Sequence, residues 1–389
     1  MINANTPATT IKTNQTAVRP NRWINPVSFG LLPLASLLVA FMAGCTNSSM
    51  VTAKSSNPVV TPTLDKALWV ANGTNVLEYV PSQLAAGSTS MAPHLVNNSG
   101  AFGAPQGVVF DSYGDLWVID GGTVAAGGTV QPALYEFTPT QLSELSTNSS
   151  PSPNITISSG DFVFPQQAVF DAKGDLWVSD NGANSVFVFT PAQLTATDTK
   201  ALPNITITSN PAFTGPLGIT FDATGDLWVA NNGTTTIFEF KAQNLPQSGS
   251  SVSLAPDVAL SDDGNGSIQA PWALIFDSKG DLWSSNANAP NTVVEFAASS
   301  LTATGSPTPA VTLSPAMEGM NSTLSAPNGI AFDNLGDLAA ISSATPFGIA
   351  LFGQTQLSAG GVIDPTLLIV GSETTLNAPA GCNFGPVVN

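Results

Sequence analysis

The side chains most suited to chemistry in this chain are aspartates that recur in pairs. Asp111 and Asp115, Asp171 and Asp175, Asp222 and Asp226, Asp277 and Asp281, and Asp333 and Asp337 each stand four residues apart in an Asp-x-x-Gly-Asp phrase. Carboxylate oxygens at close spacing are the ligand type that hard cations such as calcium take. Pairs at Gly-containing turns are also what hairpin chemistry demands, since Asp accepts turn amide hydrogens and Gly takes a left-handed backbone. Because the pairs recur in every complete repeat, the turn role accounts for them. A second polar series closes the run that follows each turn: Asn72, Asp120, Asp180, Asn231, Asn286 and Ser342. A third follows the Pro that opens each unit: Gln106, Gln166, Leu217, Trp272, Asn328 and Ala380.

Other chemistry is scarce. His94 is the single histidine. It precedes the fourth strand position of the first repeat, at an outer edge, so Ser-His-Asp catalysis has no imidazole to work with. The stretch Ser261–Ser267, SDDGNGS, is too short for an EF-hand and lacks its terminal Glu. With Cys45 assigned to an anchor (below), Cys382 has no disulfide partner. It aligns with Ile330 and Ile219 and reads as a buried apolar substitute.

The elements that must position these groups show themselves as a repeat, the first thing to seek in such a chain. FDSYGDLWVID, FDAKGDLWVSD, FDATGDLWVAN, FDSKGDLWSSN and FDNLGDLAAIS begin at Phe110, Phe170, Phe221, Phe276 and Phe332, spaced 60, 51, 55 and 56 residues apart. Each unit runs from a Pro-containing lead through the turn, the LWV run, a third run ending in Phe, a PAQL-type connector and a fourth run. The runs are rich in Val, Ile, Phe and Thr, as strands are. Four strands per unit of this length predict an all-β, six-bladed β-propeller. The first unit lacks its leading strand, and APAGCNF, from Ala378 to Phe384, aligns with that strand. Closure of the first blade by the C-terminal strand follows, which also removes an exposed sheet edge. In this fold the second and third polar series would ring one mouth of the central channel, the default place for a ligand. The nine candidates are Asn72, Asp120, Asp180, Asn231, Asn286, Gln106, Gln166, Trp272 and Asn328, set against the alternative that the strand-two residues only bond to backbone. Trp69, Trp117, Trp177, Trp228 and Trp283 read as inter-blade core, while Trp272 departs from its aligned positions.

The amino terminus reads differently. Lys12, Arg19 and Arg22 precede an apolar run from Leu31 to Cys45, too short to span a bilayer as a helix. A basic region, a short apolar region and small residues describe an export signal. Residues Met42, Ala43, Gly44 and Cys45 resemble the bacterial lipobox, which implies cleavage before Cys45 and lipid on its sulfur. Residues 1–44 are thus expected to be a lipoprotein signal peptide, 45–63 the lipidated cysteine and a Ser/Thr/Asn/Pro-rich tether, and 64–389 the propeller. Thr46, not an acidic residue, follows Cys45, which by analogy implies the outer membrane. Three of the nine basic residues and none of the 26 acids precede Cys45, so the remainder carries six against 26, a formal net of −20, and no arginine. Such a surface repels nucleic acid, whose binding rests on Lys and Arg.

The unit P-x-G-I-x-F-D-x-x-G-D-L-W-V-x-D/N resembles the NHL repeat over roughly residues 64 to 389, without the basic residue many such repeats carry in strand three. The resemblance implies relatives that include lactonases, lyases and protein-binding modules, and fold does not choose among them. Related lactonases hold a divalent cation at the channel mouth, which would assign Asp120 and Asp180 to calcium in an enzyme of that type. The leading expectation is instead a monomeric, non-catalytic binding or scaffolding module for a protein, peptide or glycan, with no cofactor.

Overall fold

The computed structural model describes residues 65–85, 90–125, 128–249, 251–315, 317–318, 321–322 and 324–388. The segments expected to be a signal peptide, lipidated Cys45 and tether lie outside the described residues. Within the unit Val60–Asn389, six four-stranded antiparallel blades follow one another in the order the repeats foretold. Blade two illustrates the plan. Its strands are Pro105–Phe110, Leu116–Asp120, Ala133–Phe137 and Ile155–Ile157, hydrogen-bonded in that order. Blade three runs Pro165–Phe170, Leu176–Asp180, Ser185–Phe189, Ile205–Ser209. Blade four runs Pro216–Phe221, Leu227–Asn231, Thr236–Phe240, Val258–Ser261. Blade five runs Pro271–Phe276, Leu282–Asn286, Val293–Phe296, Val311–Ser314. Blade six runs Pro327–Phe332, Leu338–Ser342, Gly348–Phe352, Leu367–Val370.

Blade one is composite. Its inner strand is Pro379–Pro386, pairing antiparallel with Lys66–Asn72, which pairs with Asn75–Tyr79 and then Leu95–Asn97. Trp69 stands opposite Asn383 and Leu68 opposite Phe384. The ring therefore closes through main-chain hydrogen bonds between the two ends of the domain.

The local reasons recur from blade to blade. In each inner hairpin the first Asp folds back on the turn: Asp171 Oδ1 accepts from Lys173 N at 2.8 Å and Asp175 N at 2.9 Å. The Gly of the turn has φ near +80°, as at Gly174 (+81°), where an L side chain is strained. The second Asp pins the connector of its own blade, as Asp226 Oδ1 accepts from Ala242 N at 2.7 Å. In the connectors a Gln clamps both ends: Gln193 Oε1 accepts from Thr190 N and Nε2 donates to Leu202 O.

Blades stack through their tryptophans. Trp69, Trp117, Trp177, Trp228 and Trp283 each meet the strand-one Phe of the next blade edge-on, with ring centroids 5.8, 6.4, 5.3, 5.8 and 5.9 Å apart. The five indoles are at most 4% exposed. Aromatic edge contacts of this kind add to large area burial, and the blade-six position is Ala339.

One feature of the rim has no counterpart in the repeat pattern. Outer strands pair in parallel with the connector of the following blade: Thr206–Ser209 with Ser251–Leu254, and Leu313 and Ser314 with Gly361 and Val362. Single bridges do the same at Ile157 with Asp198 and at Leu260 with Gly305. This belt covers edges that would otherwise present unpaired amides.

Candidate functional site

The channel is walled by the middle of each innermost strand. It encloses about 150 Å³ among Val108, Gln167, Ile219, Leu274, Ile330 and Asn383. Organic ligands occupy clefts of roughly 300–1,000 Å³, so the channel holds at most a few waters. At one level the strands approach backbone to backbone. A Cβ on Gly107, Gly218 or Gly381 would lie 2.7 Å from Gln166 O, 2.4 Å from Trp272 O and 2.6 Å from Gln106 O. The fourth glycine, Gly329, is as close to Cys382 N, at 2.8 Å. The two remaining blades carry Gln167 and Ala273, and there strand two supplies Ser179 and Ser285. Their hydroxyls bridge neighbouring inner strands, Ser285 Oγ accepting from Ala273 N at 3.0 Å and donating to Asn328 O at 2.8 Å. Ser179 Oγ accepts from Gln167 N and donates to Leu217 O. Gln167 Nε2 also reaches Gln106 O at 3.4 Å, so its side chain lies across the opening.

The strand-two series is buried and spent on backbone. Asp120 takes three amides, from Gly103 at 2.9 Å, Ala104 at 3.0 Å and Gly122 at 2.7 Å. Asp180 takes those of Val163, Phe164 and Ala183. Asn231 and Asn286 each accept from the amide 17 residues upstream, Thr214 and Gln269. Ser342 does the same with Ser325, and Asn72 accepts from Asn377 N across the closure. Each side chain therefore ties the lead loop of its own blade to the end of strand two. Burial pushes the Asp120 carboxyl up, and the three N–H groups pull it back.

The series after the Pro sits at the bulge of strand one, outside the channel wall. Gln106 Nε2 donates to Ala104 O at 3.1 Å, and Gln166, Leu217 and Ala380 are buried. Trp272 Nε1 and Asn328 Oδ1 are enclosed without a partner. Only Trp272 and Gln106 of the nine candidates keep partial exposure. None of the nine lines the 150 Å³ channel cavity.

His94 lies at the outer strand of blade one, as expected, but it is not idle. Its Nδ1 is 2.8 Å from Glu78 Oε2, a carboxylate with no exposure. Burial pushes Glu78 up, and the His94 hydrogen bond and the Val388 amide lower it. Cys382 is a buried free thiol that burial pushes well above its ordinary range.

Glu78 belongs to a group that the repeat reading passed over. Glu78, Glu136, Glu239 and Glu295 stand directly opposite Trp69, Trp117, Trp228 and Trp283 in strand three. The signal was present, because LEY, YEF, FEF and VEF each put one acid inside an apolar run. Two resulting groups, Asp111–Asp115–Glu136 and Asp222–Asp226–Glu239, bring one oxygen each within 4.8 Å of one another. These could hold a cation, and each group already faces a donor or a positive charge, although Glu239 Oε2 is buried without a hydrogen-bond partner. Asn154 Nδ2 donates to Glu136 at 2.7 Å. Lys241 Nζ lies 3.6 Å from Glu239 and 3.9 Å from Asp226, supplying positive charge itself. In blade five burial first, and then the hydrogen bond to Asp281, push Glu295 up to about 7. Lys279 of the turn favours the charged form of Glu295 but does not outweigh these opposing effects.

No protein-family model and no curated protein matches this chain. Solved structures do. A protein of unknown function from Bacteroides caccae is 10% identical, with 82% of this chain and 99% of that one covered and a TM-score of 0.54. A candidate 6-phosphogluconolactonase from Bacteroides fragilis is 13% identical over 83% and 99%, at a TM-score of 0.49. A streptogramin B lyase is 19% identical over 64% and 66%, at 0.37, so the chain spans just under two thirds of that lyase. At these identities the likeness concerns fold alone. The chain is a six-bladed β-propeller.

Proposed function

We propose that this chain is a lipid-anchored extracytoplasmic β-propeller that acts as a non-catalytic binding or scaffolding module for a protein, peptide or glycan. The observation that carries the reading is the use of the mouth-end polar groups. Asp120, Asp180, Asn231 and Asn286 are consumed by backbone amides, and the channel behind them is pinched by glycine contacts and crossed by Gln167. A regular scaffold of this kind presents its outer surfaces and the grooves between blades for contact. The anchor at Cys45 would hold it at the outer membrane as a monomer, and the formal net charge of −20 from Cys45 onward argues against nucleic-acid partners.

The competing reading is a calcium-dependent, lactonase-like enzyme with Asp120 and Asp180 as ligands. It leaves one acceptor position on each buried carboxylate for the cation, the other three being held by amides at 2.7–3.0 Å. A hydrolase and lactonase panel, run with and without added calcium, separates the two. Calcium-dependent turnover that is lost on Asp120→Ala would overturn the binding reading. Metabolic labelling with a fatty-acid analogue tests the anchor, and label that survives Cys45→Ser would remove it.

A further inference from the structure

Between the inner hairpins of adjacent blades lie two grooves in equivalent positions. The one between blades three and four, of about 620 Å³, has Trp177 in its wall. The one between blades five and six, of about 830 Å³, has Trp283 and Glu295 in its wall, with Phe276, Asp277, Phe332 and Gln354 around them. We propose that the groove between blades five and six binds a neutral, hydroxyl-rich small ligand such as a sugar, which accepts from Trp283 Nε1 and donates to the Glu295 carboxyl group.

The repeat provides its own control. In blades two, three and four the indole N–H reaches the first hairpin aspartate, with Trp117 at 3.5 Å from Asp111, Trp177 at 3.1 Å from Asp171 and Trp228 at 3.3 Å from Asp222. In blade five the corresponding Nε1 is enclosed and has no partner, although Trp283 is only 2% exposed. Asp277 meanwhile uses Oδ1 on Lys279 N and Asp281 N. A buried N–H without an acceptor is costly, so an acceptor that shifts the groove wall enough to reach it is favoured. The facing strand differs in the same direction. Opposite Trp177 stands Val188, and opposite Trp283 stands Glu295. The groove of blades three and four thus lacks both the free donor and the strand-three glutamate, its acids being the hairpin residues Asp171, Asp175 and Asp222.

The ligand class follows from this pair. An anion would satisfy the indole but meet Asp277, Asp333 and Glu295, three acids in the lining against the one base, Lys279. An amine would satisfy the acids and leave the indole unmatched. A hydroxyl both accepts and donates, so neighbouring hydroxyls on one ring answer both groups. The partly buried faces of Phe276 and Phe332 provide apolar walls, and the volume is that of a small-molecule cleft.

The inference rests on the binding-module reading and specifies one site for it. Saturation-transfer NMR on the full chain, with methyl glycosides of glucose, galactose, mannose, fucose and N-acetylglucosamine as probes, tests it beside acetate and ethanolamine. At least one glycoside is expected to bind with Kd about 1 mM or tighter. Trp283→Phe and Glu295→Val should each weaken it about tenfold or more, and Trp177→Phe should leave it unchanged. Thermal unfolding establishes that each variant folds, and Glu295→Val, which copies the blade-three residue, carries the test if Trp283→Phe does not. Absence of transfer from every glycoside overturns the proposal, as does transfer insensitive to both variants or confined to acetate or ethanolamine. Such a failure leaves the non-catalytic reading standing, whereas turnover in the lactonase panel would end that reading without touching the groove.

Discussion

Replacing Glu295 by glutamine should stabilise this protein at alkaline pH and leave it nearly unchanged at acid pH. Glu295 is 7% exposed, opposite Trp283 and hydrogen-bonded to Asp281. Its carboxyl rises from an ordinary 4.5 to about 7 in the fold. Between these values the native state binds more protons than the unfolded chain, so stability falls as pH rises through the window. At 1.36 kcal/mol per pH unit the full displacement sets an upper limit of about 3 kcal/mol. Solvent in the adjoining groove screens part of this, and about 1–2 kcal/mol is expected. Glutamine mimics the protonated acid and cannot ionise. Urea unfolding of both proteins at intervals from pH 4 to 8 reads Glu295 together with Asp281, to which it is hydrogen-bonded, because distant titrating groups cancel in the difference. Below pH 4.5 the two midpoints should coincide. Near pH 8 the variant should lead by the stated amount with an unchanged slope. A difference that stays flat across the window, or a variant less stable at pH 8, would refute the assignment of a buried, proton-sharing carboxyl.

Three further outcomes follow from the geometry. Gly218→Ala places a Cβ 2.4 Å from Trp272 O and should cost about 1–3 kcal/mol, read as a lower melting temperature, whereas Ala273→Gly should change it by less than about 1 kcal/mol. Asp180→Ala strands the amides of Val163, Phe164 and Ala183 and should cost about 2–3 kcal/mol in urea unfolding. Asp180→Asn, the residue type of blades one, four and five, should cost less. Deleting residues 378–389 removes the strand that pairs with Lys66–Asn72. Circular dichroism should then show a broadened transition at lower temperature, and a sharp transition at the original midpoint would contradict the role given to ring closure.

How far the sequence carried the site depends on which atoms are asked about. The strand-two residues were legible as a series because the repeat puts them in register with the Pro of strand one, and Pro105 does stand opposite Asp120. What their oxygens accept was not legible, since the amides of Gly103 and Ala104 come from a lead loop whose path no local pattern specifies. The residues after the Pro were placed at the mouth. The bulge between Pro105 and Gly107 shifts the register there, and the lining of the channel cavity begins one or two residues later. Glu239 and its counterparts were overlooked because a single acid within FEF does not disturb the apolar pattern, yet strand pairing sets it across from a buried tryptophan.

Repetition by itself determined the architecture. Five recurrences of one hydrophobic and turn pattern, with a missing first strand matched by an extra last one, leave a closed ring of six blades as the arrangement that buries the blade faces and completes the first blade. Tertiary structure alone decided two things. The parallel belt, in which Ser251–Leu254 joins the edge of the preceding blade, depends on how a connector falls against a neighbour. The contrast between two equivalent grooves depends on whether one indole N–H finds its aspartate, as Trp177 does at 3.1 Å and Trp283 does not. Both are set by small displacements between blades packed against each other, and local sequence patterns specify which residues meet without specifying such distances.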